Sequence, residues 1–267
     1  MSTSNGRQST DKPLEAKLLG VRVDLLTVED LDTLVERAVG KSHRLIIGYF
    51  NLHSVLLHQR VPNQRNFYRL ADYVHIDGMP LVWWARILGY PATRDHRVSY
   101  LDWLDSLMIL AAARSWKIFY LGSKPGVAAK GAAILEQRYE GVRFAHHHGY
   151  FDATPGSREN EDILQSISDF GPDLLMVGMG QPRQECWIVD HFEQLPARAI
   201  LTSGACIDYV AGTIPSPPRW LGKLGLEWLF RLATEPRRLA SRYLVEPWYL
   251  LPLFYRDFRR RRSDPSG

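Results

Sequence analysis

The residues of this chain that could do chemistry recur at one kind of place, just beyond a short apolar run. Asn51 follows Leu45 to Tyr49, Asp77 follows Tyr73 to Ile76, and Gly122 opens Gly-Ser-Lys-Pro-Gly126 after Lys117 to Leu121. His148 closes a His146-His147-His148 run after Val142 to Ala145. Leu174 to Val177 breaks into Gly178-Met-Gly180-Gln-Pro182-Arg-Gln184-Glu185, and Ala199 to Thr202 into Ser203-Gly-Ala-Cys-Ile-Asp208. Each placement has two readings. Asp77 can serve as a general base, or Asp77-Gly78 can be an ordinary turn pair. Asn51 offers the same choice between a turn-forming side chain and a ligand contact. Either glycine turn can present backbone N–H groups to a diphosphate at a helix N-terminus, or simply join a strand to a helix, with Gln184 and Glu185 as plain first-turn residues. Neither turn matches a dinucleotide or P-loop fingerprint: Gly178-x-Gly180 lacks the third glycine and Pro182 intrudes.

The other chemical candidates carry less. Asp30-Leu31-Asp32 has the Asp-x-Asp spacing that can hold a divalent cation, but it falls at a helix start, where acids complement the helix dipole. The histidine run lacks further ligands at zinc spacing, and neighbours on a strand point to opposite faces, so His148 alone is kept as a ligand contact. No metal site is expected, and no cofactor. Cys186 and Cys206 are the only cysteines, which excludes a disulfide framework and suits a reducing compartment. No Gly-x-Ser-x-Gly elbow supports nucleophilic hydrolysis.

The elements that must position these residues alternate. Leu18 to Leu26 reads as a strand. Thr27 caps a helix to Val39, and helical pieces broken near Pro62 fill the stretch to Leu70. Helices follow Gly78, Gly126 and Pro182, and others cover Tyr100 to Arg114 and Arg158 to Asp169. Strands alternating with helices predict an α/β fold, Rossmann-like, with a mostly parallel sheet and helices on both faces. Sites in such sheets lie beyond the carboxyl ends of the strands, where the candidates above converge. At 267 residues with 45% hydrophobic content, the chain can bury a sizeable core. We divide it into a disordered terminus at 1–13, an α/β core at 14–215 and a basic, helical, aromatic appendage at 216–267. The terminus has no apolar leader segment, and no apolar run is long enough to span a bilayer.

The net charge of +4 is unevenly spread, because residues 219–267 carry 11 Lys and Arg against 5 acids. Aromatics such as Trp228, Tyr243, Trp248, Tyr249 and Tyr255 interleave with these charges, a composition that suits a membrane interface or nucleic acid. Pro252 argues against a single straight helix over Trp248 to Arg262. The core is expected to fold without the segment beyond Val245.

The ordered set of motifs resembles the WecG/TagA/CpsF glycosyltransferases, glycosyltransferase family 26. It comprises Asn51, Ala71-Asp-Tyr-Val-His-Ile-Asp77-Gly78, Arg97-Val98, Leu121-Gly122, His148-Gly-Tyr-Phe151, Gly178-x-Gly-x-Pro-Arg-Gln-Glu185, Gly204-Ala-Cys-Ile-Asp208, Ala211-Gly212, Pro218-Arg-Trp220, Gly225-Leu-Glu-Trp-Leu-Phe-Arg231 and Glu235-Pro-Arg-Arg238. The resemblance spans residues 18 to 245. It implies inverting, metal-independent transfer of a sugar from a UDP-sugar donor to a polyprenyl-diphosphate-linked glycan, in cell-surface or exopolysaccharide synthesis. The protein would be cytoplasmic and peripheral on the inner face of an anionic membrane. It implies Asp77 as the base, with Asn51, Arg97 and Gln184 around the donor or the reacting centre. The Gly178-Met-Gly180 backbone would lie close to the donor, with Gln184 orienting it. Arg231, Arg237, Arg238 and Arg242 would neutralise the diphosphate. Tyr49 and Tyr100 stand where some members carry smaller residues, which leaves the sugar open; homo-oligomers are left open too. Competing readings are a sugar-nucleotide dehydrogenase or epimerase, which would need the missing fingerprint, and a nucleic-acid module, for which no helix-turn-helix or aromatic RNA-binding pattern is present; no nucleic-acid partner is expected.

Overall fold

The computed structural model describes residues 13–41, 44–218, 221 and 226–263. The terminus read as disordered, the Arg219 and Trp220 motif, Gly225 and the Arg238 side chain fall outside the described residues. Eight strands and twelve α-helices are described. The strands are β1 (Glu15–Leu18), β2 (Val21–Asp24), β3 (Leu45–Phe50), β4 (Tyr73–Ile76), β5 (Lys117–Gly122), β6 (Arg143–His147), β7 (Leu174–Gly178) and β8 (Ala199–Thr202). The first nine helices are α1 (Val28–Lys41), α2 (Leu52–Arg60), α3 (Pro62–Leu70), α4 (Met79–Ile87), α5 (Tyr100–Ala113), α6 (Val127–Arg138), α7 (Arg158–Phe170), α8 (Arg183–His191) and α9 (Cys206–Val210). Beyond them come α10 (Glu227–Thr234), α11 (Pro236–Ala240), a π-helical turn Ser241–Val245 and α12 (Glu246–Ser263).

Strands β3 to β8 form one six-stranded parallel sheet in the order β4-β3-β8-β7-β5-β6. The chain steps outward from β3 to β4, then crosses to β5 and β6, and returns to lay β7 and β8 in the middle. The crevice therefore opens at the carboxyl ends of β3, β7 and β8, where the strand order switches direction. The central strands read as continuous apolar runs because both sides are covered. Phe119, Leu121, Leu175 and Val177 face one cluster with Val55, Phe67 and Trp187. Ile118, Tyr120, Leu174 and Met176 face the other with Leu31, Val35, Trp103 and Leu135. The period-2 alternation of each strand thus feeds two cores.

Three expectations are corrected. Leu18 to Leu26 is not one strand: Leu19 and Gly20 both have positive φ, and the chain folds back as the antiparallel β1–β2 hairpin. β6 runs on through His147 instead of stopping at Ala145. Pro252 lies inside a continuous α12; the residue is exposed, so the Trp248 carbonyl it leaves without a partner is on the outer side of the helix.

The inner side of α12 belongs to the fold. Leu250 is fully buried in the first cluster, with Phe254 and Phe258 against it. The Phe254 ring meets Trp84 edge-on at 4.5 Å. Asp257 accepts hydrogen bonds from the Leu19 amide at 3.0 Å and the Trp84 indole at 2.9 Å. Leu250, Phe254 and Asp257 thus tie this helix to the core of residues 14–215.

Candidate active site

A cleft of about 860 Å³ lies over the carboxyl edge of the sheet, roofed by α10 to α12. Its floor is built by the turns after the six strands of the parallel sheet. Asn51 ends β3 and caps α2, its side chain accepting from the Ser54 amide while Ser54 returns a bond to the Asn51 amide. Asp77 leaves β4 with its own amide held by the Phe50 carbonyl at 2.9 Å. Asn51 Nδ2 donates to Asp77 Oδ2 at 3.2 Å, so the two candidates from neighbouring strands meet. Asn51 therefore makes the turn, and its free end touches the carboxylate.

The glycines are explained by close approach. A Cβ on Gly178 would run into the Tyr120 hydroxyl and the Gly204 carbonyl, and one on Gly122 would run into the Gly178 backbone. Gly180 has φ of +80° and open space where its Cβ would be, so there the requirement is conformational. Gly178 and Gly180 line the cleft, whereas Gly122 is buried behind it and the lining falls to Ser123 and Lys124.

Gln184 is placed differently from the expectation. It is fully buried. Its Oε1 accepts from the Gly180 amide at 3.2 Å and the Gly204 amide at 3.3 Å, and its Nε2 donates to the Tyr49 hydroxyl at 3.2 Å and to Glu185 at 2.8 Å. Two acceptor and two donor positions are thereby used up. Gln184 ties the β7 and β8 turns to Tyr49 and presents nothing to the cleft. Tyr49 itself lines the floor. Glu185 beside it is fully buried, and that burial pushes its carboxyl up to about 7.

Arg97 does not line this cleft either. Its guanidinium bridges Asp102 at 2.9 Å and Glu227 at 3.0 Å, beside a second cavity of about 760 Å³ that shares Tyr100, Tyr209 and Glu227 with the first. His148 lines a small separate cavity of about 290 Å³ with Phe151 and Glu159; Gly149 and Tyr150 reach the cleft in its place. Arg237 is exposed and absent from the lining.

Arg231 and Arg242 do line the cleft, as do Asp77 and His75. Burial works against the charge of Arg231, but Tyr209, Tyr243, Asp77 and Glu235 outweigh it and hold its pKa above the ordinary guanidinium value. His75 is almost fully buried, and desolvation drops it to about 4, so it is neutral beside Asp77 at physiological pH. The site thus sets Asp77, just after β4, opposite Arg231 and Arg242 of the appendage, which also brings Glu227, Glu235 and Glu246 to the cleft. Glu227, the partner of Arg97, was missed from the sequence because only the folded appendage brings it to the core. Ser123, Tyr150 and Asp208 carried a visible signal, since each follows a strand.

Among the described residues no three His, Cys, Asp or Glu side chains are grouped to hold a metal ion. Asp30 accepts from both the amide and the hydroxyl of Thr27, at 2.9 and 2.7 Å. Asp32 accepts from the Trp103 indole at 2.8 Å and from Ser106. The Asp-x-Asp pair is thus spent on a helix cap and a helix–helix contact. No described helix is long and apolar enough to cross a membrane.

Among known proteins, the model of the glycosyl transferase WecG/TagA/CpsF family matches residues 16–264. Relatives from Staphylococcus aureus strains MRSA252 and NCTC 8325 / PS 47 are each 31% identical over 195 residues, covering 73% of this chain and 71% of theirs. Both carry the name N-acetylglucosaminyldiphosphoundecaprenol N-acetyl-beta-D-mannosaminyltransferase. With a match over nearly the whole described chain and relatives similar across most of its length, the protein belongs to the WecG/TagA/CpsF family of glycosyltransferases.

Proposed function

We propose that the protein moves a sugar from a UDP-sugar to a polyprenyl-diphosphate-linked glycan, with inversion and without a metal, during cell-surface or exopolysaccharide synthesis. The observation that carries this reading is the meeting of Asp77 with Asn51 in a cleft that Arg231 and Arg242 also line. In the proposed step Asp77 takes the proton of the acceptor hydroxyl as its oxygen attacks the anomeric carbon. The bond from that carbon to the diphosphate breaks on the opposite face, and UDP leaves with the electron pair. One displacement with one base inverts the configuration. Charge develops on the leaving diphosphate, and cations preorganised in the cleft would stabilise the transition state without reorganising. Arg231 and Arg242 suit that task. Arg237 and Arg238 remain proposed donors of positive charge from the same appendage.

Gly178 and Gly180 would let the backbone approach the donor closely, with Gly122 behind them keeping β5 against β7. Arg97, held between Asp102 and Glu227, would shape the acceptor side together with Tyr100. His148 would act only through the chain that carries Gly149 and Tyr150 to the cleft.

The outer side of α12 is proposed to rest on the cytoplasmic face of an anionic membrane, bringing the lipid-linked acceptor to the cleft. Trp248, Tyr249, Leu251 and Tyr255 are 55 to 71% exposed, and Arg256, Arg259, Arg260 and Arg262 share the exposed surface. Aromatics at headgroup depth and arginines against acidic lipid suit an interfacial helix. The test is UDP release from a panel of UDP-sugars with an N-acetylglucosaminyl diphosphopolyprenol acceptor, the acceptor class named in the relatives. Acceptor-dependent UDP release with one donor supports the proposal. Absence of release with every donor would refute it.

A further inference from the structure

Asp77 is held by Asn51, and a chain of buried groups decides how. Asn51 Oδ1 accepts from the Ser54 backbone N–H at 3.1 Å and from the Ser54 hydroxyl at 3.1 Å. With the oxygen committed to the first turn of α2, only Nδ2 can face Asp77, which it reaches at 3.2 Å. Turning the amide over would set an N–H₂ against the Ser54 N–H and an oxygen against a carboxylate oxygen, two repulsive contacts at once. Ser54 is fully buried, so water offers it no alternative partner, while Asn51, 8% exposed, reaches the cleft only at its edge.

The chain extends one residue further. The Ser54 hydroxyl lies 2.9 Å from Gln181 Nε2 and 3.1 Å from its Oε1. A hydroxyl has one proton. Asn51 Oδ1 and Gln181 Oε1 lie equally near the hydroxyl, at 3.1 Å; we assign the proton to Asn51, which leaves Ser54 an acceptor for the closer Gln181 Nε2 at 2.9 Å. Gln181 belongs to the Gly178 to Pro182 turn and lines the cleft. The run of donors is therefore Gln181 to Ser54, Ser54 to Asn51, and Asn51 to Asp77, linking the turn proposed for the donor to the carboxylate proposed as base.

We infer that Ser54 and Gln181 are positioning residues for the base: together with the Ser54 backbone N–H they hold the Asn51 amide with Nδ2 toward Asp77, so that one carboxylate oxygen is held and the other is left to take the acceptor proton. The inference rests on Asp77 acting as the base. It goes beyond that reading by assigning a role to two residues that touch neither the carboxylate nor the reacting atoms. Linked hydrogen bonds of this kind are worth more together than singly, and double-mutant cycles separate them.

The experiment uses the full chain with Ser54→Ala, Gln181→Met and the double variant, alongside Asp77→Asn. Steady-state kinetics are read on both substrates, with UDP binding by calorimetry and thermal unfolding as controls. Each single variant is expected to lower kcat about tenfold, the order set by losing one buried polar contact, with both KM values and the UDP Kd within about twofold of the parent. The double variant is expected to be no slower than Ser54→Ala, because the two residues act in series. Gln181 is only half-buried, so its variant keeps the test alive if Ser54→Ala does not fold. Unchanged kcat in the folded variants overturns the inference, as do losses that multiply in the double variant. If Asp77→Asn loses turnover while these variants keep it, this inference alone fails. If Asp77→Asn itself keeps turnover, the reading of Asp77 as base fails first.

Discussion

Replacing Gln184 by methionine separates two roles that the same residue could have. Methionine keeps the length and volume of the side chain but offers neither its amide donors nor its oxygen. In the structure Gln184 Oε1 is the side-chain acceptor for the Gly180 and Gly204 amides, and Nε2 serves Tyr49 and Glu185. The site is fully buried, so water cannot take over. Leaving a buried donor unpaired costs about 1–3 kcal/mol, and two stranded amides give a loss of about 2–6 kcal/mol. For a chain of this size, that corresponds to a fall in Tm of roughly 2–4 °C per kcal/mol. The assay is denaturant unfolding of both proteins, with donor KM measured on the folded fraction. A staple predicts a large drop in the unfolding midpoint. A donor contact predicts unchanged stability and a raised donor KM, and that result would refute the role of Gln184 as a staple between the turns.

Further outcomes follow from the same geometry. Glu185 has its carboxyl pushed up to about 7 by burial, above the unfolded value of 4.5. The folded state therefore holds its proton more tightly, and stability from this group is full below pH 4.5 and lost as pH rises through about 7. The shift corresponds to at most about 3 kcal/mol, so Glu185→Gln should be more stable than the parent at pH 8 and similar at pH 4, as thermal melts at both pH values will show. Replacing Arg256, Arg259, Arg260 and Arg262 by alanine should weaken sedimentation with anionic vesicles at least tenfold, since each basic residue near such a surface contributes about 1 kcal/mol. Retained sedimentation would remove α12 from the membrane proposal, and salt should weaken binding of the parent. Truncation after Val245 should lower Tm as well as vesicle binding, because Leu250 and the Trp84–Phe254 contact go with it. Turnover should survive excess EDTA; loss restored by Mg²⁺ or Mn²⁺ would contradict the metal-free step.

The strands of the sheet and the turns after them were legible because an apolar run ending in Asn, Asp or Gly is a local signal. That rule placed Asn51, Asp77, Gly178 and Gly180 on one edge, and the fold does bring them there. What the sequence did not show depends on contacts distant in sequence. Gln184 reads as a ligand contact from its place after Gly178-Met-Gly180, but its partners Tyr49 and Gly204 come from β3 and from the turn after β8. Arg97 sits beside a neighbouring cavity, its charge shared with Glu227 from 130 positions away, a partner that no local pattern shows. Pro252 reads as a break because the rule knows nothing of which side of the helix is free. The tail reads as separable because composition shows its charge and its rings, not that Leu250 and Asp257 anchor its inner side.

The most direct test of Asp77 as the base is turnover of Asp77→Asn with the donor and lipid-linked acceptor identified by the panel. The exchange keeps the size of the side chain and removes its ability to take a proton. The expected result is a fall in kcat of roughly 10²–10⁴-fold, the scale of general base catalysis, with folding and UDP binding intact. Near-normal turnover in a folded, UDP-binding variant would contradict it.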